Sequence, residues 1–228
     1  MDVFGKALIN YYQHQSESTL WLHNSYGQVE EMPVDVFFRG IHEMPDLELI
    51  ALSQCSGKIL DIGAGVGSHA LILQEKGLDV TALEISTTAC QIMKLRGVKK
   101  IINQDIFTFR DEKFDTLLLL MNGIGLSESI SGLRYFLQHV KTLLNPEGKL
   151  IFDSSDISYL YFGETLPTDK YYGQIAYQYE YAGEKGDWFN WLYVDNQLLK
   201  QVAAEEGWEL ELIYEDDMDQ FLVSMTLK

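Results

Sequence analysis

The residues best suited to chemistry form a run of small and acidic side chains, Ile59-Leu60-Asp61-Ile62-Gly63-Ala64-Gly65-Val66-Gly67-Ser68. The run sits between a β-rich apolar segment and one with helical spacing. Glycines carry no Cβ, so the backbone reaches positive φ and approaches a ligand closely, while the start of the following helix presents unbonded amides. Such a turn suits an adenosine-bearing cofactor. A dinucleotide fingerprint asks for G-x-G-x-x-G/A, with a diphosphate resting on the helix N-terminus. Here the third position after Gly65 is Ser68, and Gly67 comes one residue early.

The elements that position this turn follow from apolar periodicity. Strands are expected over 58–62, 79–84, 100–103, 114–121 and 149–153, with helices after the turn through Lys76, over 86–96 and near 129–144. Gly77, Gly97 and Asn145-Pro146 stop those helices. The run Leu117-Leu118-Leu119-Leu120 predicts a central strand covered on both faces. Alternating apolar strands and helices describe a parallel α/β sheet, with a ligand site beyond the strand ends where the strand order reverses. That geometry sets Met121-Asn122-Gly123 opposite the glycine turn. The first 55 residues read as a helical lid, with a helix start at Pro45-Asp46. Residues 157–194 read as an aromatic insertion containing a β-hairpin over 175–194, and 195–228 as a closing helix (195–206) and two antiparallel strands (208–214 and 220–227). Lid, core (56–156), insertion and closing segment are expected to make one domain.

The pattern Asp61-x-Gly63-x-Gly65-x-Gly67 resembles the first motif of the class I S-adenosylmethionine-dependent methyltransferases, and the resemblance extends over about residues 56 to 156. It implies a Rossmann-like three-layer α/β/α sandwich whose seven-stranded, mostly parallel sheet has the order 3-2-1-4-5-7-6, the last strand antiparallel. It implies S-adenosylmethionine as cofactor, held by Asp61, Gly63, Ala64, Gly65 and Gly67. Glu84, with Ile85 beside it, would accept both ribose hydroxyls, and Asp105 and Ile106 would contact the adenine. Met121 and Asn122 would line the same site. An ionised carboxylate accepts two hydrogen bonds from vicinal hydroxyls and repels a 2′-phosphate, which argues against NADP. An acidic residue about 20 positions past the turn also suits NAD; Asp105-Ile106 adds discrimination, although Asp105 is equally a helix cap.

Methyl transfer from a sulfonium is an in-line displacement in which positioning lowers the barrier without an enzymic nucleophile. A hydroxyl or ammonium acceptor must still lose a proton. Asn122 is a candidate cofactor or acceptor contact, or else a turn residue. Asp153 is a candidate general base or ammonium ligand, or else a cap. Asn122 and Asp153 are too thin a set of oxygen ligands for a metal, and none is expected. Arg39 could fork onto the methionine carboxylate of the cofactor or lie on the surface with His42-Glu43. His69 sits near the ligand or packs under it, and Tyr11 and Tyr12 cover the cofactor or fill a helical core. Asn122-Gly123 departs from the Asn/Asp-Pro-Pro-Tyr motif of related enzymes that methylate DNA amines and glutamine, which argues against those substrates.

Seven of the 13 tyrosines, Tyr159, Tyr161, Tyr171, Tyr172, Tyr177, Tyr179 and Tyr181, fall between the fifth strand and the next helix. Aromatic walls there suit a small-molecule acceptor with an apolar or cationic part. Plain β propensity or a dimer contact would use them too. The chain has 228 residues and a formal charge of −17, so a polyanion meets a repulsive field and nucleic acid is an unsuitable partner. Cys55 and Cys90 show neither CxxC spacing nor a disulfide framework, which fits a reducing cytosol. No run approaches a membrane span, and a monomer or homodimer is expected. The alternatives to a methyltransferase are an NAD-dependent oxidoreductase and a non-catalytic cofactor-binding protein on the same fold.

Overall fold

Leu117, Leu118 and Leu119 are each fully buried, as is Thr116 before them, so their strand must be covered on both faces. The computed structural model describes residues 2–15, 18–110, 112–163 and 165–228. In chain order it contains α1 (Val3–Tyr12), β1 (Leu20–Asn24), β2 (Glu30–Glu31), α2 (Asp46–Gln54), β3 (Lys58–Ile62), α3 (Ser68–Glu75), β4 (Asp79–Glu84), α4 (Thr87–Arg96) and β5 (Ile101–Asn103). There follow β6 (Phe114–Leu119), α5 (Ile130–Val140), β7 (Leu144–Ser155), β8 (Gln174–Tyr181), β9 (Glu184–Lys185), β10 (Phe189–Leu192), α6 (Asn196–Glu205), β11 (Trp208–Glu215) and β12 (Gln220–Leu227).

The main sheet runs β11-β12-β7-β6-β3-β4-β5. Its five central and edge strands from β7 to β5 are parallel, and β12 inserts antiparallel between β7 and β11. Numbered within the sheet, this is the expected 3-2-1-4-5-7-6. Period-two alternation divides β6 between two cores. Leu117 and Leu119 meet Leu133, Phe136 and Leu137 of α5 and Leu199 and Val202 of α6. Leu118 faces the other way, into a core with Leu47 and Ala51 of α2, Leu73 of α3 and Met93 of α4. This is the three-layer sandwich.

The helical reading of the first 55 residues is corrected in part. α1 and α2 are helices, and α2 starts at Asp46 behind Pro45 as expected, but β1 and β2 are strands. β1 pairs antiparallel with β8 from Leu20↔Tyr181 to Asn24↔Tyr177, in a second sheet of order β10-β8-β1-β2 with β9 attached to β8. Leu20-Trp21-Leu22 is buried, exposed, buried. That alternation is too short to be decisive in sequence, and its partner lies more than 150 residues away. Several boundaries also shift, two of them at β6 and β7. β6 stops at Leu119 because Met121 and Asn122 take left-handed φ of 61° and 56°. β7 begins at Leu144, five residues earlier than expected, with a register irregularity opposite Phe114 to Thr116.

α1 fastens the second sheet to the core. Val3 and Ala7 pack with Leu20 and Tyr181, while Leu8 packs with Val66, Ala89 and Ile92. Tyr181 is 1% exposed, and its hydroxyl lies 3.3 Å from Asn10 Nδ2, which donates to it. Tyr181→Ala is expected to cost about 3–5 kcal/mol at this seam. Hydrogen exchange would then show β1 and β8 opening while β6 keeps its protection; equal loss in both would mean that the two sheets open as one unit.

Candidate active site

Beyond the carboxyl ends of β3, β4 and β6 lies a cavity of about 900 Å³, roofed by the second sheet. The strand order reverses between β3 and β6, where an open α/β sheet leaves a crevice. Gly63, Ala64, Gly65, Glu84, Ile85, Asp105, Ile106, Met121 and Asn122 all line it, as does Asp61. The space beside the glycine turn is open rather than plugged by side chains. At Gly63 (φ +69°) and Gly65 (φ +55°) an added Cβ would meet nothing within 4 Å. Gly67 differs. Its φ is +84°, a Cβ there would fall 2.7 Å from Val98 Cγ2, and it does not line the cavity. It is a packing glycine that lets α3 start against α4, not a ligand glycine.

The turn spends its amides internally. Gly63 and Ala64 N–H donate to Leu83 O at 2.9 and 3.1 Å, and Gly67 N–H to Ala64 O at 2.8 Å. Gly65 N–H donates to Glu84 Oε2 at 2.8 Å, and Ser86 N–H to Glu84 Oε1 at 2.8 Å. One carboxylate is thereby aimed by both loops, with lone pairs left on each oxygen. Burial raises the Glu84 carboxyl above its ordinary range, and these backbone donors pull it back only in part. Asp105 does act as a cap, since its Oδ1 accepts from Phe107 N–H at 2.9 Å, and it faces the cavity as well.

Asp153 does not reach the cavity wall. It is fully buried behind Asn122, where its Oδ2 accepts from Asn122 N–H at 2.9 Å and Gln220 Nε2 at 2.8 Å. Asn122 Oδ1 in turn accepts from Ser155 Oγ at 2.9 Å. The geometry therefore supports Asp153 as a brace for the left-handed Met121-Asn122 backbone, not as a base touching an acceptor. Burial pushes its carboxyl up to about 6, against the pull of both donors.

A buried chain of charges closes the floor. Arg39 Nη2 donates to Glu48 Oε1, and His69 Nε2 lies 2.7 Å from Glu48 Oε2. Burial alone would lower the His69 imidazole, but the Glu48 hydrogen bond and the charges of Asp61, Glu48 and Asp153 outweigh it and raise it. Burial pushes the Asp61 carboxyl up to about 6, with His69 and the Ala70 amide opposing. Arg39 Nε and Asp61 Oδ2 are both buried and have no hydrogen-bond partner among the described residues, yet both side chains line the cavity. The unpaired donor and the unpaired acceptor therefore lie just behind one cavity wall, in side chains of opposite charge. His42 and Glu43 lie exposed off the cavity, and Tyr11 and Tyr12 pack on Phe38.

A family model described as "Methyltransferase domain" matches residues 60–152. A solved SAM-dependent methyltransferase from Bacteroides fragilis, in complex with S-adenosyl-L-homocysteine, is 39% identical, with a TM-score of 0.91 over 99% of this chain and 94% of its own. The chain belongs to the S-adenosylmethionine-dependent methyltransferases. Two curated relatives match more narrowly: the putative methyltransferase YqeM of Bacillus subtilis, 28% identical over 103 residues, 42% of each chain, and the demethylmenaquinone methyltransferase of Tropheryma whipplei, 28% identical over 100 residues, 41% of this chain and 40% of that one. The chain spans about two fifths of the length of these relatives.

In this methyltransferase the roof is aromatic, but only Tyr177 and Tyr179 of the seven tyrosines form it. Tyr171 and Tyr172 donate to Asp195 Oδ2 at 2.6 and 3.3 Å, Tyr161 to Tyr172 O at 3.1 Å, Tyr181 sits in the α1 seam, and Tyr159 is exposed. Phe189, Trp191 and Tyr193 complete the roof. Their period-two spacing beside that of Tyr177 and Tyr179 was a usable signal for a shared face. Glu48 gave none, because an acid in the first turn of a helix is ordinarily there for the dipole.

The Asp153 brace carries a pH signature. Its folded-state value, about 6, lies above the ordinary carboxylate value, so the ionised form costs stability above pH 6, and the cost is relieved as pH falls through 6 toward 4. Asp153→Asn mimics the protonated group and keeps an oxygen for Asn122 and Gln220. Urea unfolding should find the variant more stable than the parent at pH 7.5, with that advantage shrinking by about 1–2 kcal/mol at pH 5. An advantage independent of pH would remove the assignment.

Proposed function

We propose that this chain transfers the methyl group of S-adenosylmethionine to a small-molecule acceptor held beneath the aromatic roof. The observation that carries the cofactor half of this reading is the placing of Arg39 and Asp61, of opposite charge, on one cavity wall with the Glu84 carboxylate. A zwitterionic amino-acid end answers both: its carboxylate takes the guanidinium, and its ammonium takes the aspartate. Glu84, already aimed by Gly65 and Ser86, accepts the ribose hydroxyls. Gly63 and Gly65 leave room for close approach, and Asp105 and Ile106 border the adenine.

A diphosphate fits poorly. The amides of Gly63, Ala64, Gly65 and Gly67 are already bonded within the fold, so few of the donors that a dinucleotide needs are left. The surrounding carboxylates would repel it. The cavity stands at the upper end of the volumes typical of ligand pockets, which leaves space for a small acceptor beside the cofactor. That open space also counts against a non-catalytic role, and the formal charge of −17 counts against a nucleic-acid substrate.

When bound, S-adenosylmethionine supplies a methyl group on a sulfonium, which is already a strong leaving group. The chain's own residues then bind, orient and exclude water. Asp153 and Ser155 fix the Asn122 loop beside the reaction space, and the second sheet closes it from above. Positioning of this kind is worth several kcal/mol of barrier without a nucleophile on the enzyme.

Calorimetry with S-adenosylhomocysteine tests the reading. The parent should bind it and not NAD, and Glu84→Ala should weaken binding by about 1–3 kcal/mol through lost charged hydrogen bonds. Unchanged affinity in that variant would remove the ribose assignment, and tight NAD binding would remove the methyltransferase reading.

A further inference from the structure

We infer that the acceptor is an amine, received as a cation against the aromatic roof and methylated on nitrogen; this rests on the methyltransferase reading and narrows its acceptor. The roof is a rigid aromatic array. Phe4, Tyr179 and Phe189 stack in series with ring centroids 4.9 and 5.2 Å apart, and Trp191 stands perpendicular to Phe189 at 6.3 Å. Trp191 is wedged from below as well, because a Cβ on Gly125 would fall 2.0 Å from its Nε1. Side chains so fixed lose little freedom when a ligand arrives. Aromatic faces carry negative potential, and tryptophan is the strongest of them for a cation.

The charges around the same space agree. Among the described residues that line the cavity, the positive side chains are Arg39 and His69, and both already face Glu48. Neither lies on the roof. Other charged residues that line the cavity are Asp187, just before β10, Glu128, after the Asn122 loop, and Asp2, which caps α1, and all three are carboxylates. An anionic acceptor would find no uncommitted cation there, whereas a cationic one finds ring faces and carboxylates together. The roof also carries the Tyr177 and Tyr193 hydroxyls, 3.3 Å apart, which burial keeps neutral and which can accept from an ammonium N–H.

The step balances without a further reagent. The ammonium first gives its proton to water at the cavity mouth. The freed nitrogen lone pair forms the N–C bond to the methyl carbon while the C–S pair returns to sulfur, leaving a neutral thioether. The positive charge passes from sulfur to nitrogen, so the product also leaves as a cation or, after losing a proton, as a neutral amine.

Two probes of similar size decide the matter: benzyltrimethylammonium and phenylacetate, each titrated by calorimetry into the protein saturated with S-adenosylhomocysteine. The cation should bind at least about tenfold more tightly than the anion. Trp191→Leu keeps an apolar wall and removes the strongest ring face; it should weaken the cation about fivefold while S-adenosylhomocysteine stays within about twofold. Equal or preferred binding of phenylacetate, binding of neither probe, or cation affinity untouched by Trp191→Leu would overturn the amine assignment and leave the cofactor reading standing. Failure of S-adenosylhomocysteine to bind the parent would overturn both. Should Trp191→Leu not fold, the cation-to-anion ratio in the parent decides alone.

Discussion

The hydrogen bond from Gly65 N–H to Glu84 Oε2 ties the tips of two neighbouring parallel strands to each other. Without it the glycine turn would have an unpaired amide, and the carboxylate would be held from the Ser86 side alone. With it, the turn is closed and Glu84 is presented at one fixed place on the cavity wall. Everything else at the site is arranged around that point. Gly67 tucks α3 under the turn by packing on Val98 and Met93, and α1 holds the second sheet above through Val3, Ala7 and Leu8.

The same economy shapes what the turn can offer a ligand. Amides that could have bound a phosphate are bonded to Leu83, Ala64 and Glu84, so the turn presents shape and one carboxylate rather than a bed of donors. The buried charges on the floor are half-satisfied. Glu48 bridges Arg39 and His69, while Arg39 Nε and Asp61 Oδ2 are left over. Burying unpaired polar atoms is costly.

Much of the core was legible in the amino-acid sequence because it depends on local periods. The strands 58–62 and 79–84 coincide with β3 and β4 to the residue, since apolar runs flanked by glycine stops admit few alternatives. The residues Gly63, Gly65, Glu84, Asp105 and Asn122 do come together, because strand order alone brings strand tips to one crevice. What was not legible depends on pairing across long separations or on burial. β1 becomes a strand only because Tyr177–Tyr181 is there to pair with it. Asp153 looked like a strand-end acid, and only the placement of Asn122 and Gln220 around it makes it a brace. Gly67 has the spacing of a ligand glycine, yet Val98 and Met93 occupy the space beside it. No property of Glu48 in the chain distinguishes it from a solvated helix acid; two partners far along the sequence do that.

The central claim is that Glu84, Arg39 and Asp61 are three parts of one adenosyl amino-acid site. A crystal structure of the protein grown with S-adenosylhomocysteine tests it most directly. The account predicts both ribose hydroxyls on the Glu84 carboxylate, the ligand carboxylate on Arg39 and its ammonium on Asp61. Density for the ligand away from Glu84, or an amino-acid end that leaves Arg39 Nε and Asp61 Oδ2 without partners, would contradict it.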